Sequence, residues 1–289
     1  MEFERILFAV DLSEQSRRAA PFVKALATRF GSEVVMLYVL ELPPSWSVSQ
    51  EAATWGTLIN SAELKEQKCK ELQEFLGEDF GEIRTRRVMA EGDAAQQILR
   101  HAQVCNASLI MMPTHGYGPF RSLLLGSVTA KVLHDAVCPV WTGVHRQEAQ
   151  AAPPERPRRI LCAVDTAPKD AQIVKWAADI AKQEGAEVCL VHAIHNVPSY
   201  CRTYAGRGLD DCVLQSAHQQ LRQLQETSGT NLDTSIQIGV PATVVHNSAA
   251  QWQADLVVIG RGAIQKPLGR LRSNAYAIIR ESPCPVVSV

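Results

Sequence analysis

Several familiar chemistries are missing from this 289-residue sequence. There is no Gly-x-x-x-x-Gly-Lys-Ser/Thr loop, which excludes the common phosphate cradle of nucleoside triphosphatases. Eight cysteines are present, yet none pairs as Cys-x-x-Cys and none keeps a zinc-type spacing with histidine. No paired-carboxylate metal site is evident, and no Ser-Gly-Gly-rich adenylating loop. The formal net charge is −1, too small to steer the chain to nucleic acid or an acidic membrane surface. No apolar run approaches the roughly 20 residues that cross a bilayer. The start, Met1-Glu2-Phe3-Glu4-Arg5, lacks a basic region followed by a long apolar segment and does not read as a signal peptide. Cys162 and Cys189 lie inside apolar runs as buried thiols, so a cytoplasmic, reducing compartment is expected.

The chain does have an internal repeat. Ile6-Leu7-Phe8-Ala9-Val10-Asp11 returns as Ile160-Leu161-Cys162-Ala163-Val164-Asp165. Gly31-Ser32-Glu33-Val34-Val35 returns at the same offset as Gly185-Ala186-Glu187-Val188-Cys189, and Cys138-Pro139-Val140 returns as Cys284-Pro285-Val286. Three matches in one order describe one domain written twice. The expected bounds are 1–146 and 159–289, joined by a linker over 147–158 whose centre, Ala-Gln-Ala-Ala-Pro-Pro-Glu-Arg-Pro, is semi-rigid.

Hydrophobic periodicity divides each copy into alternating strands and helices. In the first copy strands are expected at 3–10, 33–40, 83–89, 108–112 and 140–142. Helices are expected from Ser13, a capping residue, to Phe30 before Gly31, then at 58–76, after Gly92-Asp93 and at 128–134. In the second copy the strands fall near 159–164, 187–193, 235–239, 256–259 and 285–289. Its helices fall near 168–184, 210–227, 241–252 and 274–281. Such alternation implies an α/β fold with a parallel sheet and right-handed crossovers.

The strongest functional signal is Pro-Thr-His-Gly-Tyr-Gly-Pro-Phe-Arg-Ser-Leu-Leu-Leu-Gly-Ser, residues 113–127. It crosses from a buried strand to a helix, at the end of a parallel strand where ligands sit. Gly126-Ser127 at the helix start offers free N–H groups, a hydroxyl and the positive end of the helix dipole, which suits a phosphate. Gly116, nine residues, then Gly126-Ser127-Val128-Thr129 resembles the nucleotide loop of the universal stress protein family, whose pattern is Gly-x-x-Gly, nine residues, Gly-Ser/Thr. The first glycine of that pattern is Pro113 here. The resemblance extends over nearly all of both halves. It implies two tandem doubly wound, Rossmann-like domains of the adenine nucleotide alpha-hydrolase-like kind.

The resemblance carries residue roles with it. Asp11 matches an aspartate on the adenine side of the nucleotide, although as a residue it equally reads as a cap for the next helix. Ala9 and Val10 would line the same pocket, and Val39 matches a position whose backbone meets the adenine. Met112, His115 and Gly116 open the loop; His115 either points at phosphates or is solvated. Gly126, Ser127, Val128 and Thr129 match the phosphate-binding positions, and Ser127 also reads as the helix N-cap. Pro113 has no N–H to give. In the second copy Asp165 is retained, Gly260 and Gly262 resemble the loop's start, shortened or shifted by a residue, and Arg272-Ser273 stands where Gly126-Ser127 does. Arg272 either binds phosphate through its guanidinium or closes a vestigial pocket. Trp46 and Trp55, like Tyr200 and Tyr204, lie in the long connections after each second strand, as lids, as residues buried at the seam between the copies, or as local packing.

By resemblance, then, this is a stress-response regulatory protein that binds ATP, ADP or AMP, mainly through the first copy. Magnesium would accompany a triphosphate through the phosphate oxygens, with no tight metal site without nucleotide. The short last strands are expected to pair the two copies within one chain, with a homodimer as a further assembly and an unidentified protein as the partner that receives the signal. The competing readings are a slow ATPase and a scaffold that has lost nucleotide binding.

Overall fold

The computed structural model describes residues 3–41, 55–114, 125–144, 156–195, 207–261 and 273–289. The chain divides into two compact units, Glu2–Val140 and Trp141–Val289.

The first unit is built on β1 (Arg5–Val10), β2 (Glu33–Leu40), β3 (Thr85–Glu91) and β4 (Leu109–Met112), in the order β3-β2-β1-β4. All the pairings given for these strands are parallel. Covered on both faces, β1 and β4 are near-continuous apolar runs rather than alternating ones; Ile6, Leu7, Phe8, Ile110 and Met111 are fully buried. The crossovers are α1 (Glu14–Phe30), α2 (Trp55–Glu74) and α3 (Ala94–Val104), and α4 (Ser127–Asp135) follows β4. β5 (Val140–Thr142) straddles the division between the units.

Local chemistry explains where α1 starts and stops. Ser13 caps it by accepting the N–H of Ser16, and Gly31 ends it at φ 62°. A residue with a Cβ resists that left-handed conformation, and glycine does not. The buried positions Ser16, Ala19, Ala20, Val23 and Ala27 follow helical spacing and face the sheet.

The second unit repeats the plan with β6 (Arg159–Ala163), β7 (Glu187–Ile194), β8 (Asp233–Ile238), β9 (Leu256–Ile259) and β10 (Val286–Ser288), ordered β10-β9-β6-β7-β8. Its helices are α5 (Asp170–Glu184), α6 (Arg207–Ser228), α7 (Pro241–Trp252) and α8 (Ser273–Glu281). Gly185 ends α5 at φ 66°, as Gly31 ends α1.

Every element expected in the described residues is present, with boundary shifts. β3 begins at Thr85 rather than residue 83, because Ile83 still closes a turn onto the carbonyl of Phe80. β8 begins at Asp233 rather than 235, where it already pairs with Cys189 of β7. Trp55 opens α2 rather than lying in the connection before it, whereas Trp46, Tyr200 and Tyr204 lie outside the described residues. Among the described residues no helix is long and apolar enough to cross a membrane.

Candidate functional site

In each unit the strand order reverses beside the first strand. From β1 the chain steps to β2 on one side, and β4 lies on the other. The carboxyl ends of β1 and β4 lie at that reversal, which is where an open α/β sheet forms its ligand crevice. Asp11 directly follows β1, and Pro113 directly follows β4. Phe8 pairs with Met111, so both ends stand at one level of the sheet. Ala9, Val10 and Met112 are buried at this end, and half-buried Val39 lies on β2 beside them.

Asp11 is held by its neighbours. Its N–H donates to Ser16 Oγ at 3.1 Å, and Ser16 Oγ donates back to Asp11 Oδ1 at 2.7 Å. The N–H of Ser13 reaches the same Oδ1 at 3.0 Å, and so does the Ser13 hydroxyl. Leu12, between them, takes φ 64°, a left-handed conformation that few residues with a branched side chain adopt. Strain of this kind clusters at ligand sites.

The other side of the crevice is built by α4. Gly126 is its N-cap, with no side-chain hydrogen bond to the first turn. Ser127 is therefore the first helical residue and not the cap, contrary to the simpler sequence expectation. The first-turn N–H groups of a helix have no intrahelical partner. Those of Ser127 and Val128 sit beside an exposed Ser127 and a half-buried Val128. By contrast α3 is capped by Asp93, whose carboxylate accepts from Gln96 N and from Lys131 Nζ. Gly126 has φ −58°, so its backbone conformation does not require glycine; the absence of a Cβ matters only for close approach.

The Thr129 side chain is engaged within the protein. Its buried hydroxyl donates to the carbonyls of Pro113 and Thr114, each at 3.2 Å. Gly126 N–H donates to the Thr114 carbonyl at 3.0 Å. Together they strap the two ends of the loop. The Thr129 side chain positions the loop and has no proton left for a phosphate. His115 and Gly116 lie outside the described residues, as do Gly262 and Arg272.

The second unit's crevice is lined by Asp165, Lys169, Asp170, Gly260 and Asn274, among apolar neighbours. Ser273 opens α8 as Ser127 opens α4. Strand register settles the loop's start: Cys162 pairs with Val258 as Phe8 pairs with Met111. Gly260 is thus the counterpart of Pro113, unshifted, and the loop that follows is one residue shorter. A Cβ at position 260 would run into Ile173 Cδ1. In the first unit the counterpart of Ile173 is Ala19. A side chain at 260 would have to displace the δ-methyl of Ile173, the movable end of that larger neighbour on α5.

Asp170 is the functional-looking residue that sequence reasoning missed. It is only 4% exposed. Burial pushes its carboxyl above the usual aspartate range, against the lowering effects of the Ala167 N–H, Lys169 and His192. The signal was available: Asp170 stands at the same repeat offset from Ser16 as Asp165 does from Asp11.

The family model of the universal stress protein family matches residues 2–142 and 157–289. A universal stress protein of Methanocaldococcus jannaschii is 29% identical over 138 residues, covering 48% of this chain and 80% of that protein. One from Thermus aquaticus is 33% identical over 138 residues, covering 48% of this chain and 96% of that protein. Among solved structures, a universal stress protein of Archaeoglobus fulgidus superposes with a TM-score of 0.66 at 21% identity, covering 99% of this chain and 96% of that one. Single-domain relatives thus match half of this chain, and a two-domain fold matches all of it.

Proposed function

The chain belongs to the universal stress protein family, and from that premise we propose that its first unit binds ATP or a related adenine nucleotide and reports nucleotide state to a protein partner. One observation carries the reading. A fixed carboxylate, Asp11, and an α4 amino terminus without a side-chain cap flank the point where the strand order reverses. A nucleotide needs both halves of that arrangement. Its base or ribose offers donors to a carboxylate, and its phosphates need N–H groups and a positive dipole end.

In this reading Asp11 Oδ2 accepts from the adenine side of the ligand. Ala9, Val10, Val39 and Met112 supply apolar contact. Phosphates approach the N–H groups of Ser127 and Val128 and the Ser127 hydroxyl, with Gly126 presenting no Cβ to obstruct them. Among the described residues no group of three or more His, Cys, Asp or Glu could hold a metal. Magnesium would arrive with a triphosphate and take its oxygens from the phosphates. The second unit contributes less, with Arg272-Ser273 where the first has Gly126-Ser127.

Native mass spectrometry of the freshly purified chain, followed by calorimetric titration with ATP, tests the proposal. The expected result is an adduct of nucleotide mass and one site per chain, with Gly126→Arg removing most of the binding. A chain that carries no nucleotide and gives no heat with ATP, ADP or AMP overturns it.

A further inference from the structure

We infer that Ser16 is a positioning residue for Asp11, and that its hydroxyl gives this carboxylate its selectivity for an adenine nucleotide. The inference rests on the nucleotide reading of the first unit and names the residue that makes its carboxylate selective.

Ser16 is fully buried and Ser13 is 3% exposed. The two hydroxyls belong to one closed set. Ser16 N–H donates to Ser13 Oγ at 3.3 Å, and both hydroxyls donate to Asp11 Oδ1. With the Ser13 N–H, three donors converge on that single oxygen. Asp11 Oδ2 accepts no hydrogen bond among the described residues. The carboxylate is thus locked by one oxygen and offers the other. Only a neighbour that donates and accepts at once can do this, because Ser16 Oγ also receives the Asp11 N–H. A hydroxyl does both; a carboxylate only accepts.

The second unit shows the same backbone with the chemistry reversed. Thr166 takes φ 64°, as Leu12 does. Ala167 replaces Ser13, and Asp170 replaces Ser16. Asp170 Oδ2 accepts the N–H of Asp165 at 2.9 Å and that of Ala167 at 3.1 Å. The turn is preserved, but both hydroxyls that fix Asp11 are lost, and Asp165 is exposed. A second carboxylate now faces the crevice that holds Asp165. It stands where the Ser16 hydroxyl reaches Asp11 Oδ1 in the first unit.

A locked acceptor distinguishes an amine at purine C6, which donates, from an oxygen there, which does not. An Asp11 that has lost the Ser16 donor distinguishes them less. The test is titration of the full chain with ATP and with ITP, on the unmodified protein, Ser16→Ala and Ser16→Asp. The unmodified chain should prefer ATP. Ser16→Ala should cut the ATP-to-ITP preference roughly tenfold, the equivalent of one lost hydrogen bond, while ITP affinity stays within about twofold. A role confined to folding would weaken both ligands alike. Ser16→Asp should lower ATP affinity more than Ser16→Ala does; the turn at Asp170 shows that the backbone accommodates the carboxylate. An unmodified chain that binds neither ligand overturns the nucleotide reading and this inference with it. ATP binding whose preference survives Ser16→Ala overturns the inference alone.

Discussion

Asp255 Oδ2 accepts the backbone N–H of Arg159 at 3.0 Å, and that of Arg158 at 2.7 Å, at the amino end of β6. In the first unit the corresponding pair is Ser108 and Arg5. The Ser108 hydroxyl accepts the Arg5 N–H at 3.2 Å and donates to the Arg5 carbonyl at 2.8 Å. Serine has given way to aspartate at both ends of the second unit's central strand, here and at Asp170. The arginines keep one role throughout: Arg5 Nη1 donates to the Cys105 carbonyl and Arg159 Nη1 to that of Trp252.

Asp255→Ala should therefore destabilise the second unit by about 1 kcal/mol, chiefly by leaving the part-buried Arg159 N–H without its charged acceptor. Urea unfolding followed by circular dichroism measures it as a lower midpoint of that unit's transition. An unchanged midpoint would show that water replaces the carboxylate without loss.

The pH dependence of Asp170 has a definite sign. Its carboxyl lies above the ordinary value of 3.8 because of burial, so folding favours the protonated form. The stability it lends is fully present below the unfolded value and is lost as pH rises through the folded one. Asp170→Asn keeps an oxygen for the two N–H groups and removes the charge. Its stability relative to the unmodified chain should grow from acid to neutral pH and then level off, read as urea midpoints across that range. A difference that is flat with pH counts against the assignment.

Thr166 is β-branched and held at φ 64°. The left-handed conformation costs such a residue roughly 1–2 kcal/mol, while glycine adds a smaller unfolded-state penalty of about 0.5–1 kcal/mol. Thr166→Gly should stabilise the second unit by up to ~1 kcal/mol, seen as a higher melting midpoint. A clear loss would mean that the hydroxyl's bond to Gln220 outweighs the strain.

Thr129→Val keeps the shape and removes the strap between α4 and the loop after β4. The expected cost is about 1 kcal/mol, with faster hydrogen exchange at the Gly126 N–H than at the middle of α4. Exchange that is unaltered at Gly126 would show that the Thr114 carbonyl holds it unaided.

The thiols should divide by exposure. Cys69 and Cys212 are exposed, whereas Cys162 is buried and Cys284 is buried with its thiol pushed up to about 12. A thiol-specific reagent at mild alkaline pH should modify the first two at once and the latter pair only on unfolding. Early modification of Cys284 would contradict its burial.

Much of the fold was legible because both copies obey simple periods. Buried parallel strands such as Ile6–Val10 and Leu256–Ile259 are unbroken apolar runs between turn residues. Ser13 and Gly31 mark the ends of α1 by hydrogen-bonding capacity and left-handed freedom. The site was legible only in part. A motif assigns positions but not the direction of a side chain, so Thr129 reads as a phosphate ligand until its hydroxyl is seen on two carbonyls. Ser127 reads as a cap because serine usually is one, yet the helix begins one residue earlier than that reading requires. Asp170 escaped notice because an aspartate in a first helical turn ordinarily sits in water against the helix dipole. Here the same turn is folded inward, and only its hydrogen bonds to Asp165 and Ala167 reveal that.

The difference between Pro113 with Ala19 and Gly260 with Ile173 bears on how a duplicated chain can be recombined. Any side chain at position 260 meets the Ile173 δ-methyl on α5, a residue far away in sequence. A graft of residues 113–126 into the second half would set the proline ring against that methyl group. Pairing the graft with Ile173→Ala restores the small neighbour that Ala19 offers in the first half.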